Sequence, residues 1–208
     1  KGREHLAKMI TPLYDSDNKF VGFFVTLPGY DGGYQRVFVQ DVLVHGNGND
    51  TQADIASIFE KAFVQSHMGG TRGKFPTWGA SGSFSAWTMK DISGENATPT
   101  FKGGFDRDAM KEAAINGIQA NRPVVAESSI LTNDTTVTTP DGSHEKIKIV
   151  SQHAYTVIGA DENGVTLTNP WGHNNRSVGG NSRTGATFTM SWEDFYANFG
   201  DVTVGRIP

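Results

Sequence analysis

The sequence predicts an α+β protein of two lobes, and three observations carry that expectation. Helix-like segments lead and a β-rich half follows, an order unlike the strict alternation of an α/β sheet. Among the 208 residues are 25 glycines, 13 phenylalanines and 4 tryptophans, with 37% apolar and 19% charged residues, so the chain can build a core and is neither a coiled coil nor a disordered tail. No internal repeat and no linker long enough to split the chain interrupts it, and the change of character near Pro123 sets a helix-bearing lobe at 1–120 beside a β-rich lobe at 121–208.

Arg3 to Ile10 reads as the last turns of a helix, stopped by Thr11-Pro12 because proline cannot continue a helix and restrains its predecessor. Phe20 to Leu27 and Tyr34 to Val44 are rich in Val and Phe and flank the turn-forming stretch 28–33, which predicts a hairpin. Thr51 is placed to cap a helix in which Ile55, Ile58, Phe59, Ala62 and Phe63 recur at helical spacing, with Asp54 at the capping-box position. Residues 66–104 show no sustained period and read as a long glycine-rich excursion, the kind of loop that usually carries function. A helix over 107–120 follows, with Asp106 as its cap and Pro123 beyond its end. Strands are then expected at 123–129, 146–150, 153–159, 165–169 and 186–189. Ser191 caps a short helix over 192–199 with Asp194 at the capping-box position, and 201–207 closes as a strand.

Composition excludes several partners. The net charge is −4 and Lys and Arg are scattered singly, so no basic stripe is available to neutralise a phosphate backbone, and nucleic acid is not an expected partner. Apolar runs such as Val21 to Leu27 fall far short of the roughly 18 residues of a membrane span. Lys1 to Lys8 lacks the apolar core of a signal peptide, and the chain reads as a processed piece of something longer. There is no cysteine, which removes disulfides, thiolate metal sites and any thiol nucleophile from these residues and leaves the redox compartment unreadable.

The chemistry concentrates in one hairpin. Gln152-His153-Ala154-Tyr155-Thr156-Val157 enters it, Asp161-Glu162-Asn163-Gly164 turns it, and Thr168-Asn169-Pro170-Trp171-Gly172 leaves it. With the tip near residue 163, position 153 faces 173, so His153 and Asn169 share a face of the ribbon but stand two residue pairs apart. A bend, expected at Pro170, has to bring the amide oxygen to the ring. A strand histidine near an Asn-Pro turn is ordinarily packed or solvent-facing. Given an amide acceptor, it becomes an imidazole of fixed tautomer and orientation that can act as base and then acid for a neighbouring nucleophile.

His-Ala-Tyr-x-Val at 153–157 followed by Asn-Pro-Trp-Gly at 169–172 resembles the histidine and asparagine boxes of calpain-type cysteine peptidases, a branch of the papain-like superfamily. Three further segments resemble that family in the same order. They are Val37-Phe38-Val39-Gln40-Asp41-Val42-Leu43, where Gln40 departs from the usual acid of an acidic pair; Phe59-Glu60-Lys61-Ala62-Phe63 with Gly69-Gly70 beyond it; and Met190-Ser191-Trp192-Glu193-Asp194-Phe195. The resemblance covers about residues 20–208 and implies a papain-like two-lobed fold with an incomplete N-terminal helical lobe and an antiparallel β-rich C-terminal lobe. It implies His153 as catalytic base, Asn169 as its orienting partner and Trp171 as the shelter of their hydrogen bond. In the family the nucleophile is a cysteine at the start of a long helix, preceded by a glutamine that helps hold the oxyanion, and neither can be matched here. The segment Glu4 to Met9 resembles the tail of that helix, which puts the nucleophile upstream of Lys1. The implied activity is hydrolysis of peptide bonds through an acyl-thioenzyme, with a separate segment or chain supplying Cys and Gln, and with this chain inactive alone.

Ser81, Ser83 and Ser85, between Trp78 and Trp87, offer hydroxyls, but they follow the Glu60-Lys61 helix where a Cys-to-Ser replacement would precede it; they read as loop or peptide-binding residues. Animal calpains need calcium, and oxygen donors are plentiful at Asp31, Asp41, Asn47, Asn49, Asp50, Asp91, Glu95 and Asp161, yet no run has the spacing of a calcium loop. His5, His45, His67, His144 and His173 show no zinc-ligand spacing and read as surface residues. Two other functions stay open: a pseudo-protease that keeps the cleft as a binding or scaffold module, and a papain-like amidase or acyltransferase, since a His/Asn pair serves those reactions too.

Overall fold

The computed structural model describes residues 2–28, 33–40, 55–67, 85–103, 108–174 and 185–206. These form a mixed α+β fold dominated by antiparallel sheet, with few helices. The chain divides into two compact units, the first ending at Asn96 and the second running from Ala97 to Arg206. The boundary read from sequence lay at 120/121; the helix between these two positions packs on strands of the second unit and belongs to it.

In the first unit, α1 (Gly2–Met9) leads directly into β1 (Ile10–Tyr14), which pairs antiparallel with β2 (Phe20–Pro28), and β2 pairs with β3 (Tyr34–Val39). Sequence reading had Thr11-Pro12 only as a helix stop. The proline is tolerated in β1 because that strand is the sheet edge, where one side needs no ladder donor. Alternate residues Val25 and Leu27 of β2 and Val39 of β3 turn inward with Met9 and meet Ile58, Phe59 and Ala62 of α2 (Ile55–His67). Two segments that carried the family resemblance touch here, because Lys61 Nζ donates to the Gln40 carbonyl at the end of β3. The expected extension of this strand to Val44, the caps Thr51 and Asp54, and Gly69-Gly70 lie outside the described residues.

The stretch 66–104, expected to be irregular, contains α3 (Ser85–Ser93) and β4 (Thr98–Phe101). Both were hidden for physical reasons. The helix is short and mixes polar with apolar residues, and the four-residue strand owes its existence to pairing with β11 (Phe199–Val204).

The second unit is one eight-stranded sheet of order β4-β11-β5-β8-β9-β10-β6-β7. Its remaining strands are β5 (Val124–Ser128), β6 (Asp134–Thr138), β7 (His144–Lys148), β8 (Ala154–Ala160), β9 (Val165–His173) and β10 (Gly185–Met190). Strand β6 was not expected, since Asn-Asp-Thr-Thr looks like a turn; it is made by its hairpin partner β7 at the sheet edge. Threonine pairs fix the β9/β10 register, with Thr166 and Thr189 hydroxyls 2.9 Å apart and those of Thr168 and Thr187 3.0 Å apart.

Helix α4 (Ala109–Gln119) lies on β8 and β11, shorter than the expected 107–120. Asp108 stands at its N-cap without a side-chain cap bond, and the expected cap Asp106 is outside the described residues. Close approach requires Gly117, since a Cβ there would sit 2.6 Å from a Val124 methyl and 3.2 Å from Val204. Ser191 caps α5 (Trp192–Asn198) as expected, its hydroxyl accepting from the Asp194 amide at 3.1 Å. The core is continuous from Met110 and Ala114 through Tyr155, Leu167 and Phe188 to Phe195, whose ring stacks on Phe199 at 4.5 Å. Among the described residues, no helix is long and apolar enough to cross a membrane.

Two stability outcomes follow from this packing. Phe195→Ala removes a fully buried ring and is expected to cost about 3–5 kcal/mol in urea unfolding; a cost below about 1 kcal/mol contradicts the stacked core. Asp201 on β11 is 5% exposed and stands directly opposite Glu127 on β5, and burial followed by that neighbouring charge pushes its carboxyl up to about 7. The native state therefore favours the neutral acid. Its contribution is complete below the unfolded value of 3.8 and is lost as pH rises through about 7. Asp201→Asn is expected to flatten the fall in urea midpoint between those two values, and an unchanged slope contradicts the burial.

Candidate functional site

His153 sits at the mouth of β8, one residue before Ala154, at the end of a tight loop whose shape is fixed by its neighbours. Ser128, 6% exposed at the end of β5, accepts from the His153 amide at 2.9 Å and donates to the Val150 carbonyl at 2.6 Å. The Ser128 amide returns a bond to the His153 carbonyl at 2.9 Å, and Gln152 N donates to Ser129 O at 3.2 Å. These bonds hold Gln152 at φ 50°, a left-handed conformation that a non-glycine residue keeps only when its surroundings impose it. The buried Tyr155 completes the seat: its hydroxyl accepts from Val150 N at 3.1 Å, and its ring meets the imidazole edge-on at 5.0 Å. Burial holds this phenol up at about 12, so it stays neutral.

Asn169 reaches the ring by a different route from the expected one. In β8 and β9, Ala160 pairs with Val165 and Gly159 with Thr166, but Val157 pairs with Leu167 and Thr156 with Thr168. Ile158 is thus an extra residue on β8, a bulge that slides the ribbon by one position. Continuing the shifted register sets Asn169 opposite Tyr155, one pair from His153 instead of two. On one face such diagonal neighbours are about 7–8 Å apart at the backbone, within reach of these two side chains. The hairpin tip, centred between residues 162 and 163, gives one of the two positions gained and the bulge the other; together they take the place of the bend anticipated at Pro170, and β9 runs on through Pro170 to His173, with Gly172 at φ +75°.

The resulting geometry is closely defined. His153 Nε2 lies 3.0 Å from Asn169 Oδ1, and the Trp171 indole lies over the imidazole at 4.3 Å and 41°. Asn169 is 2% exposed, while Trp171 keeps 37% exposure. The Trp171 backbone amide also donates to Asn169 Oδ1, at 3.0 Å. A backbone N–H is always a donor, so that contact identifies the acceptor end of the amide. His153 Nε2 must then carry the hydrogen, which leaves the Nδ1 lone pair of the neutral ring free to take a proton. Burial lowers the imidazole below its usual 6.5, and the Asn169 hydrogen bond partly opposes that shift. The site can thus present a neutral base near pH 7 and stabilise the imidazolium that forms when the base works.

The other sequence-derived candidates fall elsewhere. Ser85 opens α3 and is buried, whereas Ser81, Ser83 and Trp78 lie outside the described residues. Asp161 Oδ1 accepts from Asn163 N at 2.7 Å and Gly164 N at 3.1 Å, closing the hairpin turn. Glu95 is exposed; Asp31, Asp41, Asn47, Asn49, Asp50, His45 and the side chains of Asp91 and His67 are outside the described set. His144 meets the Thr138 hydroxyl at 3.2 Å and His173 the Asn174 carbonyl at 3.3 Å. No group of three or more metal-ligating side chains occurs among the described residues.

Two features escaped sequence reading. Asn174, 1% exposed, accepts from Asn169 Nδ2 at 3.3 Å, and nothing in the box pattern marks it out. Ile130 and Leu131 are 73% and 84% exposed on a loop pinned on both sides, by Ser129 N to Asn198 O at 2.8 Å and by Thr132 Oγ1 to Ile149 O at 2.7 Å. The chain matches no protein-family model and no curated protein.

The hydrogen bond sets a titration outcome. The native state prefers the neutral imidazole, so its contribution to stability is complete above the unfolded value of 6.5 and is lost as pH falls through the lower folded value. In an NMR titration His153 is expected to titrate below 6.5, and Asn169→Ala to lower its midpoint further by removing the interaction that raises it. A midpoint that stays or rises in the variant contradicts the pairing.

Proposed function

We propose that this chain is the base-bearing portion of a calpain-like cysteine endopeptidase of the papain-like superfamily, with an incomplete helical lobe, working on protein or peptide substrates. The observation that carries the reading is the 3.0 Å bond from His153 Nε2 to Asn169 Oδ1 under the Trp171 indole, in a half-buried setting that favours the neutral ring. The chain holds no cysteine, so a segment or chain beyond these 208 residues supplies the thiol and the oxyanion glutamine. His153 Nδ1 takes the thiol proton, and the thiolate attacks the peptide carbonyl. The imidazolium returns the proton to the leaving amine. The ring then takes a proton from water, whose hydroxide displaces the thiolate and frees the acid. The pinned loop with Ile130 and Leu131 follows directly on Ser128 and Ser129, which hold the His153 loop, and offers an apolar surface to a peptide side chain. Calcium, which the resemblance to animal calpains brings in, is part of the proposal.

A second reading is favoured by one observation, the absence of cysteine: a pseudo-protease that binds peptides without cutting them. Mixing the chain with a helical segment bearing Gln and Cys, and assaying a fluorogenic peptide with and without calcium, separates the two. Turnover that falls about 10²–10⁴-fold in His153→Ala supports the peptidase. Turnover indifferent to that substitution sinks it, and saturable peptide binding without turnover favours the pseudo-protease.

A further inference from the structure

We propose that Asn174 is a positioning residue that locks the Asn169 amide, and through it the tautomer and angle of the His153 ring. The inference rests, for its catalytic meaning, on reading His153 as the base. Asn174 follows the Asn-Pro-Trp-Gly box by two residues and is 1% exposed, although asparagine is seldom fully buried. Its Nδ2 donates to the Gly185 carbonyl at 2.6 Å and the Ala186 carbonyl at 3.3 Å, both on the neighbouring strand β10. Backbone carbonyls only accept, so these contacts fix which end of Asn174 is the amine. Its Oδ1 is thereby aimed at Asn169 Nδ2, from which it accepts at 3.3 Å.

The relay therefore has a fixed polarity from both directions. At one end the Trp171 N–H identifies Asn169 Oδ1 as acceptor; at the other, two β10 carbonyls identify Asn174 Oδ1 as acceptor. A flipped Asn169 would put its amine against the Trp171 N–H and its oxygen against Asn174 Oδ1, two like contacts in a buried site. Pro170 and Gly172 make the segment between the two asparagines unable to run as a regular ladder, and the β9/β10 register breaks between Gly185 and Thr187. Asn174 ties the chain back to β10 at that break and so sets where Asn169 stands.

The test is spectroscopic and needs no turnover, so its failure is separate from failure of the peptidase assay. In the unmutated chain, the His153 Nε2–H and the side-chain NH2 groups of Asn169 and Asn174 should exchange slowly with solvent. In Asn174→Leu, which keeps the branched side-chain shape and removes every side-chain hydrogen bond, exchange at His153 Nε2–H is expected to rise about tenfold, and the ring's titration midpoint to move as in Asn169→Ala. The double variant should show no shift beyond that of Asn169→Ala alone, because Asn174 acts only through Asn169. A further, additive shift, or an unchanged Nε2–H in Asn174→Leu, overturns the proposal. Should that variant not fold, fast exchange of the Asn174 NH2 in the unmutated chain overturns it equally, and slow exchange of both amides with the ring proton supports it.

Discussion

The candidate site depends on one buried amide. Asn169 Oδ1 accepts from both His153 Nε2 and the Trp171 backbone. An imidazole in a half-buried pocket without such an acceptor would lose a hydrogen bond to water and gain nothing, at a cost of about 1–3 kcal/mol. With it, the ring has one tautomer, one angle and one free lone pair. The features around the pair serve that end: Ser128 and Tyr155 shape the loop that delivers His153, and the Trp171 indole covers the bond. A cover of low polarity strengthens the bond it excludes from water.

The hairpin was legible because its signals are local: alternating apolar residues, an Asp-Glu-Asn-Gly turn, and the box residues themselves. Even so, the sequence sets His153 and Asn169 one residue pair too far apart, because neither the exact centre of the turn, between residues 162 and 163, nor the bulge at Ile158 leaves a mark in the alternation. Bulges arise from how two strands fit, which one strand's sequence does not state. The same holds for β4 and β6, each short, polar and made by a partner distant in sequence or by an edge hairpin. Asn174 was invisible for a related reason. Its partners lie eleven and twelve residues away on β10, and an asparagine in Gly172-His173-Asn174-Asn175 reads as one more turn residue. The capped helix at Ser191, by contrast, is a contact within three residues and was read directly.

The two units give different kinds of support to the functional reading. The second holds the His/Asn/Trp arrangement, whose chemistry follows from its geometry. The first holds the helix and strand segments whose sequences carry the resemblance, joined by the Lys61 bond to the Gln40 carbonyl, a packing contact without chemistry of its own. What separates a peptidase from a binding module is therefore whether a thiol meets His153 Nδ1. A neutral ring held below its usual titration range is a base that accepts a proton only when a partner anion compensates the charge, as a thiolate does.

The most direct measurement is the ionisation of that thiol. In the chain combined with a cysteine-bearing segment, thiolate absorbance in the near ultraviolet can be followed against pH, with His153→Ala as the reference. A thiolate–imidazolium pair predicts a cysteine that ionises well below the usual value of about 8.5, and a return to that value in the variant. A thiol that titrates near 8.5 with His153 intact contradicts the account.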